Sequence, residues 1–124
     1  MKKKSIGQLK KALWKVFSEY IRKRDKGICI SCGRYAEGSG YHAGHFVPKS
    51  VGGLTLYFDE ENVNGQCYNC NINLGGNLYE YGMALGEEKV ARIKQKKLLS
   101  TKWGVFEYEK AIDKYTDLVR NIDL

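Results

Sequence analysis

Four cysteines and two histidines are the residues of this 124-residue chain best suited to chemistry. The cysteines fall in two C-x-x-C pairs, Cys29 with Cys32 and Cys67 with Cys70, and both histidines, His42 and His45, lie between the pairs. Two such pairs offer four soft thiolates at the spacing a tetrahedral Zn²⁺ takes. Gly33, directly after the first pair, lets backbone amides turn toward sulfur, as in a zinc knuckle. C-x-x-C also serves thioredoxin-like redox chemistry, and four cysteines can form a disulfide framework. The positive start, Met1-Lys2-Lys3-Lys4, leads into no apolar leader, so a cytosolic setting and a metal are expected. A closed four-sulfur site has no open coordination position, so this zinc is expected to be structural, pinning the first helix and a hairpin against the segment that bears Asn71.

The segment looped out between the pairs holds the parts of a second kind of site. Hydrolysis of a phosphodiester needs an activated water, a cation on the scissile phosphate and stabilisation of the departing oxygen. A histidine can supply the first, and a hard cation on oxygen or nitrogen ligands the other two. His45, Asn62 and Asn71 follow one another in an order that suits this. Each has a plainer use: a histidine is more often a satisfied surface or core residue, Asn62 can cap a turn, and Asn71 can cap a short helix. Gln66, Asn73 and Asn77 are polar side chains that can bind phosphate or metal-held water, or simply face solvent.

The composition limits the partners. Lysine and arginine number 21 against 14 acids, a formal charge of +7, which four thiolates and one Zn²⁺ lower to +5. A balance this basic suits a polyanion, DNA above all, though a solvated surface explains it too. Lys49, Lys89, Arg92 and Lys96 are the candidate phosphate contacts, with Lys10, Lys11 and Lys15 as weaker ones. No apolar run approaches the length of a membrane span. The length suits a single domain, 1–124, made of a basic N-terminal helix (1–26), a zinc-bearing core (27–76) and C-terminal helices (77–124).

The elements that must position these residues are legible in part. Residues 5 to about 25 place apolar side chains three and four apart, one face of an amphipathic helix, with Ser5 to cap it and Gly27 to stop it. Residues 41–47 and 54–58 are strand candidates, joined into a hairpin through the basic-tipped loop 48–53. Residues 58–63 are turn-like. The second cysteine pair should lead into a short helix carrying Asn71 and ending near Gly75-Gly76, followed by helices over 78–85, 87–99 and 105–122. The last has a narrow seam, Val105, Tyr108, Ile112, Tyr115, Val119 and Ile122, that packs either on the first helix or on a second copy of the chain. The expected fold class is α+β.

Histidine, asparagine and a further asparagine laid over two C-x-x-C pairs resemble the HNH nuclease motif on a ββα-metal fold. The wording is similar to the phage NinG family, also called Rap. It is carried by the run from Trp14 to Asp25 ahead of Cys29-Ile30-Ser31-Cys32-Gly33-Arg34, by Ala43-Gly44-His45-Phe46, by Leu56-Tyr57-Phe58, and by Glu61-Asn62. Gln66-Cys67-Tyr68-Asn69-Cys70-Asn71 and Gly76-Asn77-Leu78-Tyr79-Glu80-Tyr81 complete it. The likeness covers residues 13–85 well and the last helix loosely.

The resemblance implies a zinc-stapled ββα-metal core with a long N-terminal helix and C-terminal helices. It implies a phage recombination protein, active in the cytoplasm of a bacterial host, that cuts branched DNA such as Holliday junctions with Mg²⁺ or Mn²⁺. Recombination endonuclease VII, a phage resolvase, shares the four-cysteine plan. Carried over by residue, His45 is the general base, Asn62 fixes the hairpin and orients the histidine, and Asn71 is a ligand of the catalytic ion. The partner ligand of the motif would precede the base, where this chain has Gly44, so His42 is the candidate second ligand. Residues three apart on a regular strand face opposite ways, and a bulge at Ala43-Gly44 would bring both imidazoles to one side. Two cuts per junction suggest a homodimer. The alternatives are a zinc-containing DNA-binding module without activity and a general HNH nicking endonuclease.

Overall fold

The computed structural model describes residues 3–122. Helix α1 (Ile6–Asp25) starts where Ser5 and Gln8 form a reciprocal capping box, the Ser5 Oγ accepting from the Gln8 amide at 3.2 Å and the Gln8 Oε1 from the Ser5 amide at 2.8 Å. It ends at Lys26 in the left-handed conformation, and Gly27 follows at φ 82° beneath the Tyr35 ring, where any Cβ would collide. The chain has to turn here to enter the first cysteine pair. Leu9, Leu13, Phe17 and Ile21 form the buried stripe of α1.

That stripe meets the C-terminal helix α5 (Val105–Ile122) and one face of a two-stranded sheet. Tyr108 and Tyr115 of the expected seam are buried, with Tyr115 edge-on to Phe17 at 4.9 Å between centroids. Of the two packings open to the seam, the structure shows the one on the first helix. Its two ends, Val105 and Ile122, stay exposed.

The sheet pairs β1 (Tyr41–His45) with β2 (Val63–Cys67), antiparallel and in unbroken register from Tyr41 opposite Cys67 to His45 opposite Val63. The expected hairpin is therefore corrected: residues 54–58 form no strand. Lys49–Tyr57 is helix α2, kinked at Gly53 and entered from Pro48, and it lies between the two strands in sequence. Leu56 turns into a second apolar cluster with Tyr81, Leu85 and Ile93, contributed by α3 (Leu78–Leu85) and α4 (Glu87–Lys96). The expected bulge at Ala43-Gly44 is absent too, because every β1 residue has one partner on β2.

Strand β2 escapes an apolar-pattern search because its buried residues include Asn64 and Gln66. Neighbours satisfy the Asn64 carboxamide and the amide hydrogens of Gln66. Arg24 reaches from α1 to donate to the Asn64 Oδ1 (3.0 Å) and to the carbonyls of Glu60 and Val63, while its neighbour Asp25 accepts from the Gly65 amide at 2.7 Å. One Arg–Asp pair at the helix end thus clamps α1 to β2. No helix among the described residues is long and apolar enough to cross a membrane.

Candidate metal centre and groove

Strand alternation assigns the sheet two faces. Tyr41, Ala43 and His45 look toward α1, and His42 and Gly44 look the other way, opposite Gln66 and Asn64 of β2. The cysteine pairs gather at the end of the sheet where Cys67 stands opposite Tyr41. Their four sulfurs lie within 4.8 Å of one another, and the Cys32 and Cys67 sulfurs are 3.8 Å apart. A tetrahedral ion with Zn–S bonds of about 2.3 Å needs sulfurs about 3.8 Å apart, so the set fits. Amides turn toward sulfur as expected: the Cys70 N–H donates to Cys67 at 3.4 Å, and Gly33 takes φ 76° after the first pair. Burial would raise the Cys29 thiol, but the amides of Cys67, Cys32 and Ser31 draw it down to about 7; burial pushes Cys70 up to about 12. A cation would let all four ionise together.

Around the last cysteine, Cys70, the chain makes a single π-helical turn, Asn69–Asn73, an irregularity common where function sits. It delivers Asn71 to the sheet, where its Nδ2 lies 2.9 Å from the His42 Nδ1. The other ring nitrogen of His42 lies 3.0 Å from the Ser39 carbonyl. A carbonyl only accepts, so Nε2 carries the proton and Nδ1 keeps a lone pair, the tautomer of a metal-ligating histidine. The Asn71 N–H donates to that lone pair, so an ion on the His42 Nδ1 would replace this hydrogen bond. Neutral donors such as these suit Mn²⁺ better than Mg²⁺, which favours anionic oxygen.

Both line an open groove of about 300 Å³ with Trp14, Ser18, Arg22, Tyr41, Ala43 and Lys49. Three successive strand residues take part, so the groove follows the unpaired edge of β1, with cations of α1 and α2 on its walls.

His45 does not line this groove. Its ring lies on the other face of the strand, stacked on Trp14 at 5.1 Å and 20° and edge-on to Tyr57 at 5.1 Å. The expected meeting of His45 with Asn71 is thus replaced by one between His42 and Asn71. The reason is the unbulged strand, which keeps residues 42 and 45 on opposite faces. The His45 Nε2 lies 3.0 Å from the Tyr57 carbonyl, which fixes its proton there and leaves Nδ1 free. Burial lowers its pKa to about 4, the Tyr57 carbonyl opposing and Lys49 adding to the shift, so the ring is neutral at pH 7.

Asn62 is fully buried and holds the loop that follows His45. Its Oδ1 accepts from the Val47 amide at 2.8 Å, and its Nδ2 donates to the carbonyls of Val47 (3.1 Å) and Leu56 (3.0 Å). Its own carbonyl accepts from the Phe46 amide at 2.8 Å. The backbone after His45 and the end of α2 are thereby tied to one carboxamide.

Two of the expected phosphate contacts are otherwise engaged. Arg92 pairs with Glu61 at 2.7 Å and Lys96 with Asp59 at 2.8 Å and Glu61 at 3.0 Å, so these cations bind α4 to the loop before β2. The two cations hold Glu61 at a pKa of about 2. Lys89 is exposed on α4, and Lys49 stands at the groove, 5.1 Å above the Trp14 ring. Sequence reasoning did not single out Trp14, Arg22 or Tyr81. Tyr81 is fully buried and donates to the Gly44 carbonyl at 2.7 Å, supporting the strand from below.

The fold and site define an α+β protein with a clustered four-cysteine centre and an adjoining polar groove. The chain belongs to the family described as Bacteriophage Lambda NinG protein, whose profile matches residues 1–124. It is 38% identical over 79 residues to Protein ninG of Escherichia phage 933W, covering 60% of this chain and 38% of that protein. Protein ninG of Salmonella phage P22 is 39% identical over 69 residues (55% and 33%), and that of Escherichia phage lambda 37% over 79 residues (60% and 38%). The match therefore spans less than two-fifths of these relatives' length. No solved structure matches.

Proposed function

We propose that this protein is a divalent-metal-dependent DNA endonuclease of the HNH type, folded around a structural Zn²⁺ on Cys29, Cys32, Cys67 and Cys70, with branched, Holliday-junction-type DNA as its substrate. The observation that carries it is the convergence of His42 Nδ1 and the Asn71 carboxamide at a cation-walled groove. Supporting it are Asn62, which holds the loop after His45, and the His45 tautomer with a free Nδ1. Membership of the NinG family supports a role in phage recombination, in the host cytoplasm.

His42 and Asn71 would hold a divalent ion, which supplies charge neutralisation on the phosphate and on the leaving oxygen. His45 takes a proton from water at Nδ1, and the Tyr57 carbonyl holds Nε2–H while the imidazolium forms. The hydroxide attacks phosphorus in line, the bond from phosphorus to the 3′ oxygen breaks, and that oxygen takes a proton from bulk water as it leaves, giving 5′-phosphate and 3′-hydroxyl ends. Lys49 and Arg22 position the backbone. Cutting by this route requires the Trp14–His45 stack to open so that Nδ1 reaches the groove. Two cuts per junction call for a symmetric pair of chains; sedimentation showing only monomer, with and without junction DNA, contradicts that part.

The second reading is a zinc-containing DNA-binding module without activity. It is favoured by Gly44, which leaves the usual ligand position bare, and by the placement of His45 outside the groove. Nicking of a labelled four-way junction in Mg²⁺ or Mn²⁺ separates the two, and flap and linear duplex substrates test for a general nicking enzyme. Absence of cutting on every substrate, with binding intact, selects the module.

A further inference from the structure

Gln66 is wholly buried in β2, directly opposite His42. Its side-chain amide has only one orientation. Nε2 donates to the Ser31 Oγ at 2.8 Å and to the Gly76 carbonyl at 2.7 Å, and a carbonyl can only accept. Both amide hydrogens are thereby used, and Oε1 points the opposite way. That oxygen is the one buried side-chain polar atom among the described residues with no hydrogen-bond partner.

Gly44 shows where it points. A Cβ built on Gly44 would fall on the Gln66 Oε1 and 3.0 Å from the Asn71 Oδ1. The two oxygens therefore flank a single point on the His42 side of the sheet, where the nuclease motif would carry its strand ligand. Glycine is required here because the carboxamide of the neighbouring strand occupies the space a side chain would fill.

We propose that Gln66 Oε1 is a third protein ligand of the divalent-cation site, completing His42 and Asn71 in place of the side chain that Gly44 lacks. This rests on the cation site of the nuclease reading and adds to it the residue that closes the site. The set is one imidazole nitrogen and two amide oxygens, with no carboxylate. Such neutral donors favour Mn²⁺ over Mg²⁺ and leave the ion's charge for the phosphate to balance. Ser31, inside the first cysteine pair, orients the Gln66 amide and so connects the sulfur centre to this one.

The test is a crystal of the zinc-loaded full chain soaked in Mn²⁺, with Mn²⁺ binding followed in solution by electron paramagnetic resonance. Anomalous density within about 2.5 Å of the Gln66 Oε1, the His42 Nδ1 and the Asn71 Oδ1 is the expected result. In solution, Gln66→Leu and Asn71→Ala should each weaken Mn²⁺ at least tenfold while the zinc content stays at one per chain. Density on His42 and Asn71 alone, with a water on Gln66 Oε1, overturns the Gln66 assignment and leaves the nuclease reading standing. No Mn²⁺ on any of the three overturns the cation site and this inference with it. The unsubstituted crystal decides the matter even where Gln66→Leu fails to fold.

Discussion

His45 carries two expectations that separate chemistry from stability. As the general base, its replacement by alanine should slow junction cleavage by about 10²- to 10⁴-fold with DNA binding unchanged, read from single-turnover nicking and a gel-shift titration. A parent-like rate would remove it from the mechanism. Its pKa is lowered from 6.5 to about 4 in the folded chain, so between those values the unfolded state binds more protons. Stability is therefore full above about pH 6.5 and falls as the pH drops toward 4. The loss from this group between pH 7 and pH 5 is about 2 kcal/mol, measurable by urea unfolding, and His45→Phe should flatten that part of the profile.

At the scale of elements, the cations sort by what they already touch. Arg92 and Lys96 are paired with Glu61 and Asp59, so Arg92→Ala should barely move the urea midpoint and leave the salt dependence of DNA binding unchanged. Lys49 and Arg22 border the groove, and alanine at either should reduce the log–log salt slope by about 1. The reverse pattern would move the DNA path to α4. The same scale explains what could be read in advance. Helices α1, α3 and α5 were legible because caps, glycines and three-four spacing agree with one another. Strand β2 was not, since Asn64 and Gln66 are buried through partners far away in sequence, Arg24, Ser31 and Gly76. The alternation Leu54-Thr55-Leu56-Tyr57-Phe58 imitated a strand, while packing of Leu56 on Tyr81 and Ile93 made it helical. Of the site, the cysteines and the pair His42 and Asn71 were within reach of motif reasoning. The Gln66 oxygen was not, because its role depends on an orphaned lone pair that only the fold exposes.

At the scale of the whole molecule, the cysteine cluster ties residues 29–32 to residues 67–70. The segment from Cys29 to Cys70 should lose its order when the metal is stripped by a chelator, with a large fall in Tm that Zn²⁺ restores. Cys70→Ser should do the same, and an unchanged Tm in either case would refute a structural metal. The clamp of Arg24 on Asn64 and two carbonyls is a second tie, and Arg24→Ala should cost roughly 2–3 kcal/mol.

On the nuclease reading, the bare backbone at Gly44 bears on when the proposed ion would arrive. A pocket of uncharged donors grips a dication weakly in the resting protein, and the phosphodiester brings the negative charge that those donors lack. Ion and strand should therefore enter as mutual helpers: junction DNA should raise Mn²⁺ affinity, and Mn²⁺ should raise DNA affinity by the same factor. A nuclease of the proposed design would stay unarmed until it meets its target, and equal Mn²⁺ affinity with and without DNA would deny it that safeguard.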